Sequence, residues 1–273
     1  MISVGKVELR NVTKAFVDEK RRRETVALQD VSLSIPNGQF VCLLGPSGCG
    51  KSTVLNIVAG FEQATSGDVL VGPDRVEGPA RDHGMVFQQP HLFPWLNVLE
   101  NITFGPRMTG IAAAVYLPGA NRYIELMGLR GFEHHFPYEL SGGMQQRVAL
   151  ARAWIKEPSL FLMDEPFGAL DAQTRLLMQE LLLTVWDSSR STVLFVTHDI
   201  DEAIFLSDRV VLLAARPGRV TEDLTVSLKR PRDYASIIFD SRYVELKKHI
   251  LSVIRRETMR GMASEAETSM VER

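Results

Sequence analysis

Gln39-Phe40-Val41-Cys42-Leu43-Leu44-Gly45-Pro46-Ser47-Gly48-Cys49-Gly50-Lys51-Ser52-Thr53-Val54-Leu55-Asn56-Ile57-Val58-Ala59-Gly60 changes character twice. The apolar run to Leu44 reads as a buried strand, and the glycine-rich stretch after it reads as a loop. From Ser52 the apolar residues recur at helical spacing until Gly60 stops them. Gly45 to Ser52 satisfies the pattern G-x-x-x-x-G-K-[ST], placed where that pattern has meaning, after a strand and opening a helix. Its glycines let backbone amides wrap phosphates, Lys51 reaches the β and γ oxygens, and the Ser52 hydroxyl can ligate Mg²⁺. Gly45, Pro46, Ser47, Gly48, Cys49, Gly50, Lys51, Ser52 and Thr53 are therefore the candidate nucleotide-binding residues. A glycine-rich turn with no ligand is the alternative, and the strand and helix on either side argue against it.

Three further stretches belong with this loop. In Leu140-Ser141-Gly142-Gly143-Met144-Gln145-Gln146-Arg147, a serine and two glycines precede a run of helix formers. Ser141 can cap a helix beginning around Gly143, and the helix dipole there favours an anion. Leu160-Phe161-Leu162-Met163-Asp164-Glu165 is a hydrophobic strand ending in two carboxylates, which are costly to bury unless a cation or a reacting group needs them. Val196-Thr197-His198-Asp199 follows another buried strand, so His198 should leave the sheet at the edge that carries Lys51 and Glu165.

With these residues in place, the chain resembles the nucleotide-binding subunit of an ABC transporter, whose signature reads Leu-Ser-Gly-Gly-x-Gln, and the likeness extends over nearly the whole length. The resemblance implies ATP and Mg²⁺ as ligands and a homodimer as the working form. Ser141, Gly142, Gly143 and Gln145 would close on ATP held by the phosphate loop of a second copy, and Asp171 would cross the interface near that site. It further implies that Asp164 holds Mg²⁺ with Ser52 and Gln88. Glu165 would polarise the attacking water, while His198 would contact the γ-phosphate. Gln88 would bond both metal and water, with Gln89 the less favoured neighbour. Phe16 stands where the family stacks a ring on adenine; a buried core phenylalanine is the other reading.

Leu92-Phe93-Pro94-Trp95 holds too many large apolar groups for a loop that only meets water. It resembles the groove wall that receives a coupling helix from a membrane subunit, or else it packs the insert onto the core. Together with the early catalytic segments and the Arg216-Pro217-Gly218-Arg219-Val220 turn, it most resembles ATPases of bacterial importers for nitrate, sulfonate and taurine. That turn also reads simply as a Pro-Gly hairpin turn. The implied partners are integral membrane permease subunits and, indirectly, a solute-binding protein. The implied location is peripheral, on the cytoplasmic face of the inner membrane. A different solute class, or an ATP-binding module impaired in turnover, stays open as an alternative.

Composition limits the rest. A chain of 273 residues with 45% hydrophobic residues can bury a real core. Its 31 basic residues against 33 acidic ones, a net charge of -2, give no case for nucleic acid as a partner. The basic run Lys20 to Arg23 reads as a charged turn between strands. Cys42 and Cys49 suggest no structural bridge and fit a reducing compartment. Met1 to Glu8 alternates like a strand and lacks a signal-peptide core. No run reaches the roughly 18 apolar residues of a membrane span, so work at a membrane goes through a partner. His83, His91, His134 and His135 lack metal-ligand spacing.

The fold expected is α/β: a P-loop NTPase (RecA-like) core with an N-terminal antiparallel β-subdomain and a helical insert subdomain. Residues 1–89 and 148–225 would form the core with its β-subdomain, 90–147 the helical subdomain ending in the signature, and 226–273 a C-terminal helical extension. Short strands are expected at 7–9, 26–28, 31–35 and 39–44, then helix and strand alternate from the signature to Leu213, with a further strand at 220–226. Lys229-Arg230-Pro231-Arg232 leads to a helix on which Tyr243, Leu246, Ile250 and Val253 share a face, and residues 262–273 read as frayed. Pro118-Gly119 should break the helix ahead of the signature, leaving 111–120 poorly ordered and weakening the support behind Ser141.

Overall fold

The computed structural model describes residues 5–18, 23–215 and 217–271. The tip of the Lys20 to Arg23 turn and Arg216 lie outside the described residues. The chain forms two compact units, Met1–Ala80 with Thr192–Arg273, and Arg81–Ser191. In chain order the elements of the first unit begin with β1 (Val7–Asp18), β2 (Arg23–Ile35), β3 (Phe40–Leu44), α1 (Lys51–Ala59), β4 (Ser66–Val71) and β5 (Asp74–Arg75). The second unit follows with β6 (His83–Val86), α2 (Val98–Met108), α3 (Ala113–Leu126), a 3-10 turn at Pro137–Glu139, α4 (Gly142–Trp154), β7 (Leu160–Asp164) and α5 (Ala172–Ser189). The chain then completes the first unit with β8 (Thr192–Thr197), α6 (Ile200–Leu206), β9 (Arg209–Ala214), β10 (Arg219–Thr225), α7 (Tyr234–Ile237) and α8 (Ser241–Val271).

Two sheets build the first unit. One is antiparallel, in the order β2-β1-β4-β5. In the other, β3 lies between β8 and β9 and runs parallel to both, while β10 closes the edge antiparallel to β9. Every residue of β3 and β8 is buried, which is why both read as continuous apolar runs rather than alternating ones. Leu44 pairs with Thr197, so the loop after β3 and His198 after β8 leave the sheet at one edge. That is the placement the sequence predicts for His198 relative to Lys51. Cys42 and Cys49 are buried free thiols.

The separate strands expected at 26–28 and 31–35 are one strand, β2, carrying a left-handed residue, Asp30 (φ 51°). Asn11 on β1 is also left-handed (φ 50°), and its amide donates to Asp30 at 2.6 Å. Asn and Asp tolerate this conformation, so the pair carries register shifts without ending either strand.

In the second unit β6 and β7 pair in parallel, Val86 opposite Met163. The break expected at Pro118 does not occur: α3 runs unbroken from Ala113 to Leu126 with Pro118 inside it. Helices in proteins take most of their stability from packing. Here Ala120, Tyr123 and Ile124 are buried, and this apolar face offsets the lost hydrogen bond. The Gly119 position faces Ile155, whose Cδ1 would lie 3.5 Å from an added Cβ, an ordinary contact. The poor order predicted for 111–120, and the weakened support inferred from it, are therefore withdrawn. At the other end of the chain, α8 continues through the 262–271 stretch that the composition marked as frayed.

Candidate nucleotide site

The phosphate loop begins where β3 ends. Gly48 (φ 77°) and Gly50 (φ 90°) are left-handed, conformations that cost a side-chain-bearing residue. Gly50 is the N-cap of α1, and no side chain among the described residues caps that helix. The positive end of the α1 dipole thus faces the loop and favours an anion there. Ser47, Gly48 and Ser52 are exposed, Pro46 and Thr53 half-buried. Lys51 is buried and folded back: its Nζ donates to the carbonyls of Gly45 (2.8 Å) and Pro46 (3.0 Å). Reaching a phosphate exchanges these bonds for new ones, so the lysine keeps partners throughout.

Phe16, on β1, is 41% exposed, which removes the buried-core reading of that residue. The Lys14 ammonium lies 4.7 Å from its ring centroid. His198 is exposed directly after β8, and Asp199 behind it caps α6 by accepting from the Glu202 amide (3.1 Å).

In the second unit, Asp164 ends β7 and Glu165 follows with φ 43°. A glutamate in the left-handed region is strained, and such strain gathers at functional sites. An added Cβ on Gly168 would lie 3.7 Å from the Gln88 amide nitrogen and 3.8 Å from Glu165 Oε2. The amide and the carboxylate thus share one locality, after the parallel ends of β6 and β7. Ser141 caps α4, its hydroxyl accepting from the Met144 amide at 3.3 Å, and the helix starts at Gly142, one residue before the expected position. The Gln145 side chain donates to the carbonyls of Pro137 (2.8 Å) and Leu140 (3.3 Å), bracing the turn before the signature. Gly143 has Thr174 Cγ2 3.0 Å from an added Cβ, tight enough to disfavour a side chain. Asp171 caps α5 through the amides of Gln173 (3.1 Å) and Thr174 (3.0 Å). The Thr174 side chain and these amides hold its carboxyl below the usual range. A cavity of about 630 Å³ joins these parts, lined by Gln88, Ser141, Gly143, Gln145 and Asp171 among others.

Three residues to which the sequence assigned no part in the site support it. Asn101 on α2 is fully buried; its amide donates to the carbonyls of Phe93 (3.1 Å), Leu96 (2.8 Å) and Asn97 (3.1 Å), and its oxygen accepts from the Phe93 amide (2.9 Å). Arg152 on α4 donates to the carbonyls of Pro90 (2.9 Å) and His91 (2.8 Å). Together they fix segment 90–97, from which Trp95 projects with 69% exposure. Gly218 is pressed on the phosphate loop: an added Cβ would lie 2.2 Å from the Cys49 carbonyl and 2.8 Å from that of Ala27. Its amide donates to Ala27 and its carbonyl accepts from Gln29, both at 2.9 Å. The Pro-Gly pair was the only sequence signal for this contact.

A glycine-rich loop between a buried parallel strand and a helix, with an acidic strand end in the same chain, defines a nucleoside triphosphatase of the P-loop class. The chain belongs to the ABC transporter family, whose model matches residues 28–168. It is similar to an uncharacterized ABC transporter ATP-binding protein of Methanocaldococcus jannaschii, 47% identical over 94% of each chain. A taurine import ATP-binding protein of Jannaschia sp. is 43% identical over 90% of this chain and 92% of its own. Among solved structures, a dimeric ATP-binding cassette in a post-hydrolysis state with ADP and Pi superposes with a TM-score of 0.72. It is 33% identical and covers 82% of this chain and 100% of its own. The chain is an ATP-hydrolysing enzyme of this family.

Proposed function

We propose that the chain powers an importer of small solutes of the nitrate, sulfonate and taurine kind. It works as a homodimer on the cytoplasmic face of the inner membrane, docked on integral permease subunits that a solute-binding protein supplies, with no role in nucleic-acid binding. The observation that carries hydrolysis is the strained Glu165, whose carboxylate shares a locality with the Gln88 amide. The solute class rests on the resemblance and on similarity to the taurine import protein. No helix among the described residues is long and apolar enough to cross a membrane, and the exposed Trp95 segment supplies the docking surface.

In this reading the backbone amides of the phosphate loop and the α1 dipole receive the phosphates, and Lys51 moves from its loop carbonyls to the β and γ oxygens. Phe16 stacks on adenine. Glu165 takes a proton from water as the water oxygen bonds to the γ-phosphorus. The bond from that phosphorus to the β–γ bridging oxygen breaks, and ADP leaves with the electron pair. Gln88 orients the water and His198 contacts the γ-phosphate. Ser52, Gln88 and Asp164 offer a hydroxyl, an amide and a carboxylate, a set of hard oxygen donors that suits Mg²⁺. Bound there, the ion would neutralise charge on the phosphate oxygens. Ser141, Gly142, Gly143, Gln145 and Asp171 complete the site of the second copy. Shared ATP then favours the closed dimer, and hydrolysis removes that bias.

Glu165→Gln tests this reading, because without the base the closed state should stall before hydrolysis. Adding ATP to the purified variant should shift it from monomer to dimer in size-exclusion light scattering. Bound ATP without any shift would overturn the shared site.

A further inference from the structure

α6 has seven residues, too few to hold a helix in place by itself in water. It starts at Ile200, and only its cap, Asp199, separates it from His198. The Asp199 amide donates to Thr197 Oγ1 at 3.0 Å, so the turn that carries His198 is built by the end of β8 and the start of α6. α6 is therefore one of the two supports of the turn that carries His198.

Both ends of α6 are gripped by the C-terminal segment. At its carboxyl end, Arg232, 8% exposed, donates through Nη1 to the carbonyls of Ile204 (3.1 Å), Phe205 (2.8 Å) and Ser207 (2.8 Å). Arg230 donates to the Leu206 carbonyl at 2.6 Å and to Asp208 at 3.0 Å. The last carbonyls of a helix have no partner inside it and carry the negative end of its dipole, so two guanidinium groups suit this end. At the amino end, the hydroxyl of Tyr243, a residue 3% exposed, donates to the Asp201 carboxylate, and the Lys247 ammonium lies 2.6 Å from the same oxygen. Tyr234 meets Phe205 edge-on at 5.4 Å. The Lys229-Arg230-Pro231-Arg232 motif, which the nucleotide site leaves unused, is thus half of a grip on one short helix.

We propose that Arg230, Arg232, Tyr243 and Lys247 are positioning residues for ATP hydrolysis, holding His198 in place through α6. The proposal rests on the reading of His198 as the γ-phosphate contact. A loosened grip should leave nucleotide binding at the phosphate loop intact and slow turnover, because α1 and its loop take no part in these bonds. It also gives the C-terminal segment a regulatory reach: whatever displaces α8 from Asp201 changes the ATPase rate without touching the nucleotide.

The test uses the full chain. Tyr243→Phe keeps the ring and removes the bond to Asp201; it should lower kcat about tenfold with KM for ATP changed less than about twofold. Asp201→Ala should behave alike, whereas Asp201→Asn, which still accepts from Tyr243, should recover most of the rate. In a His198→Ala background, Tyr243→Phe should slow turnover no further, since residues acting as a unit are not additive. In protein labelled with ¹⁵N-histidine, Tyr243→Phe should move the ring resonances of His198 and leave those of His83 in place. Equal losses in both backgrounds, or an unmoved His198 resonance, would overturn the clamp alone. A His198→Ala variant with the full rate would overturn the reading of His198, and the clamp with it.

Discussion

At the scale of single residues, what could be read ahead of the structure was what lies contiguous in the chain. Gly45 to Ser52 announces itself because loop, helix start and cation are adjacent. Ser141 does so because a cap precedes its helix, whereas Asp171 was named through the family resemblance and its capping role came from the structure. Gly218 does not, because its partner, the Cys49 carbonyl, is remote in sequence. Its role follows from a distance alone: a methyl group there cannot coexist with the loop as it stands. Gly218→Ala is therefore expected to weaken ATP binding by about tenfold or more, roughly 1.4 kcal/mol. Titration calorimetry with ATP on the purified variant checks this, and unchanged affinity would show that the loop tolerates the displacement. Glu165 was legible as a candidate base, whereas its left-handed backbone was not, since no pattern of neighbours signals it.

At the scale of elements, periodicity found α1, α5 and the buried strands, and erred where local chemistry and packing disagree. Pro118 and Gly119 are poor helix residues, yet the buried face of Ala120, Tyr123 and Ile124 prevails over them. Segment 90–97 shows the converse: it has no regular structure and is still fixed, by Asn101 and Arg152. Asn101→Ala should destabilise the protein by about 1–3 kcal/mol, the usual cost of leaving buried carbonyls unmet, as read by urea denaturation. Trp95→Ala removes a side chain that is mostly in water, so its effect on folding should be small. It is expected to lower solute uptake by the assembled transporter more than it lowers the ATPase rate of the subunit alone. Equal loss in the two assays would remove Trp95 from the docking surface.

At the scale of the molecule, alternating strands and helices identified the class of fold, and the antiparallel sheet of β2-β1-β4-β5 is the β-subdomain expected near the N-terminus. The sequence could not convey how the C-terminal segment is used. Tyr243, Ile250 and Val253 were legible as one face of a helix, and all three are buried. That Tyr243 also reaches Asp201 needs the tertiary fold.

The two cysteines have a practical use. Cys42 and Cys49 are fully buried, and burial pushes both thiols up from their ordinary pKa, so neither carries a thiolate near neutral pH. Both sit in the first unit, Cys42 in its central strand and Cys49 in the phosphate loop. A maleimide dye should therefore leave the folded chain unlabelled and react as this unit opens, its rate serving as a clock for opening. ATP held by the loop should slow the reaction at Cys49, by keeping closed the conformation it binds. Prompt labelling at neutral pH without nucleotide would reveal openings of the loop that precede unfolding. The chain thus carries its own reporter of stability, native to its sequence and placed beside the nucleotide.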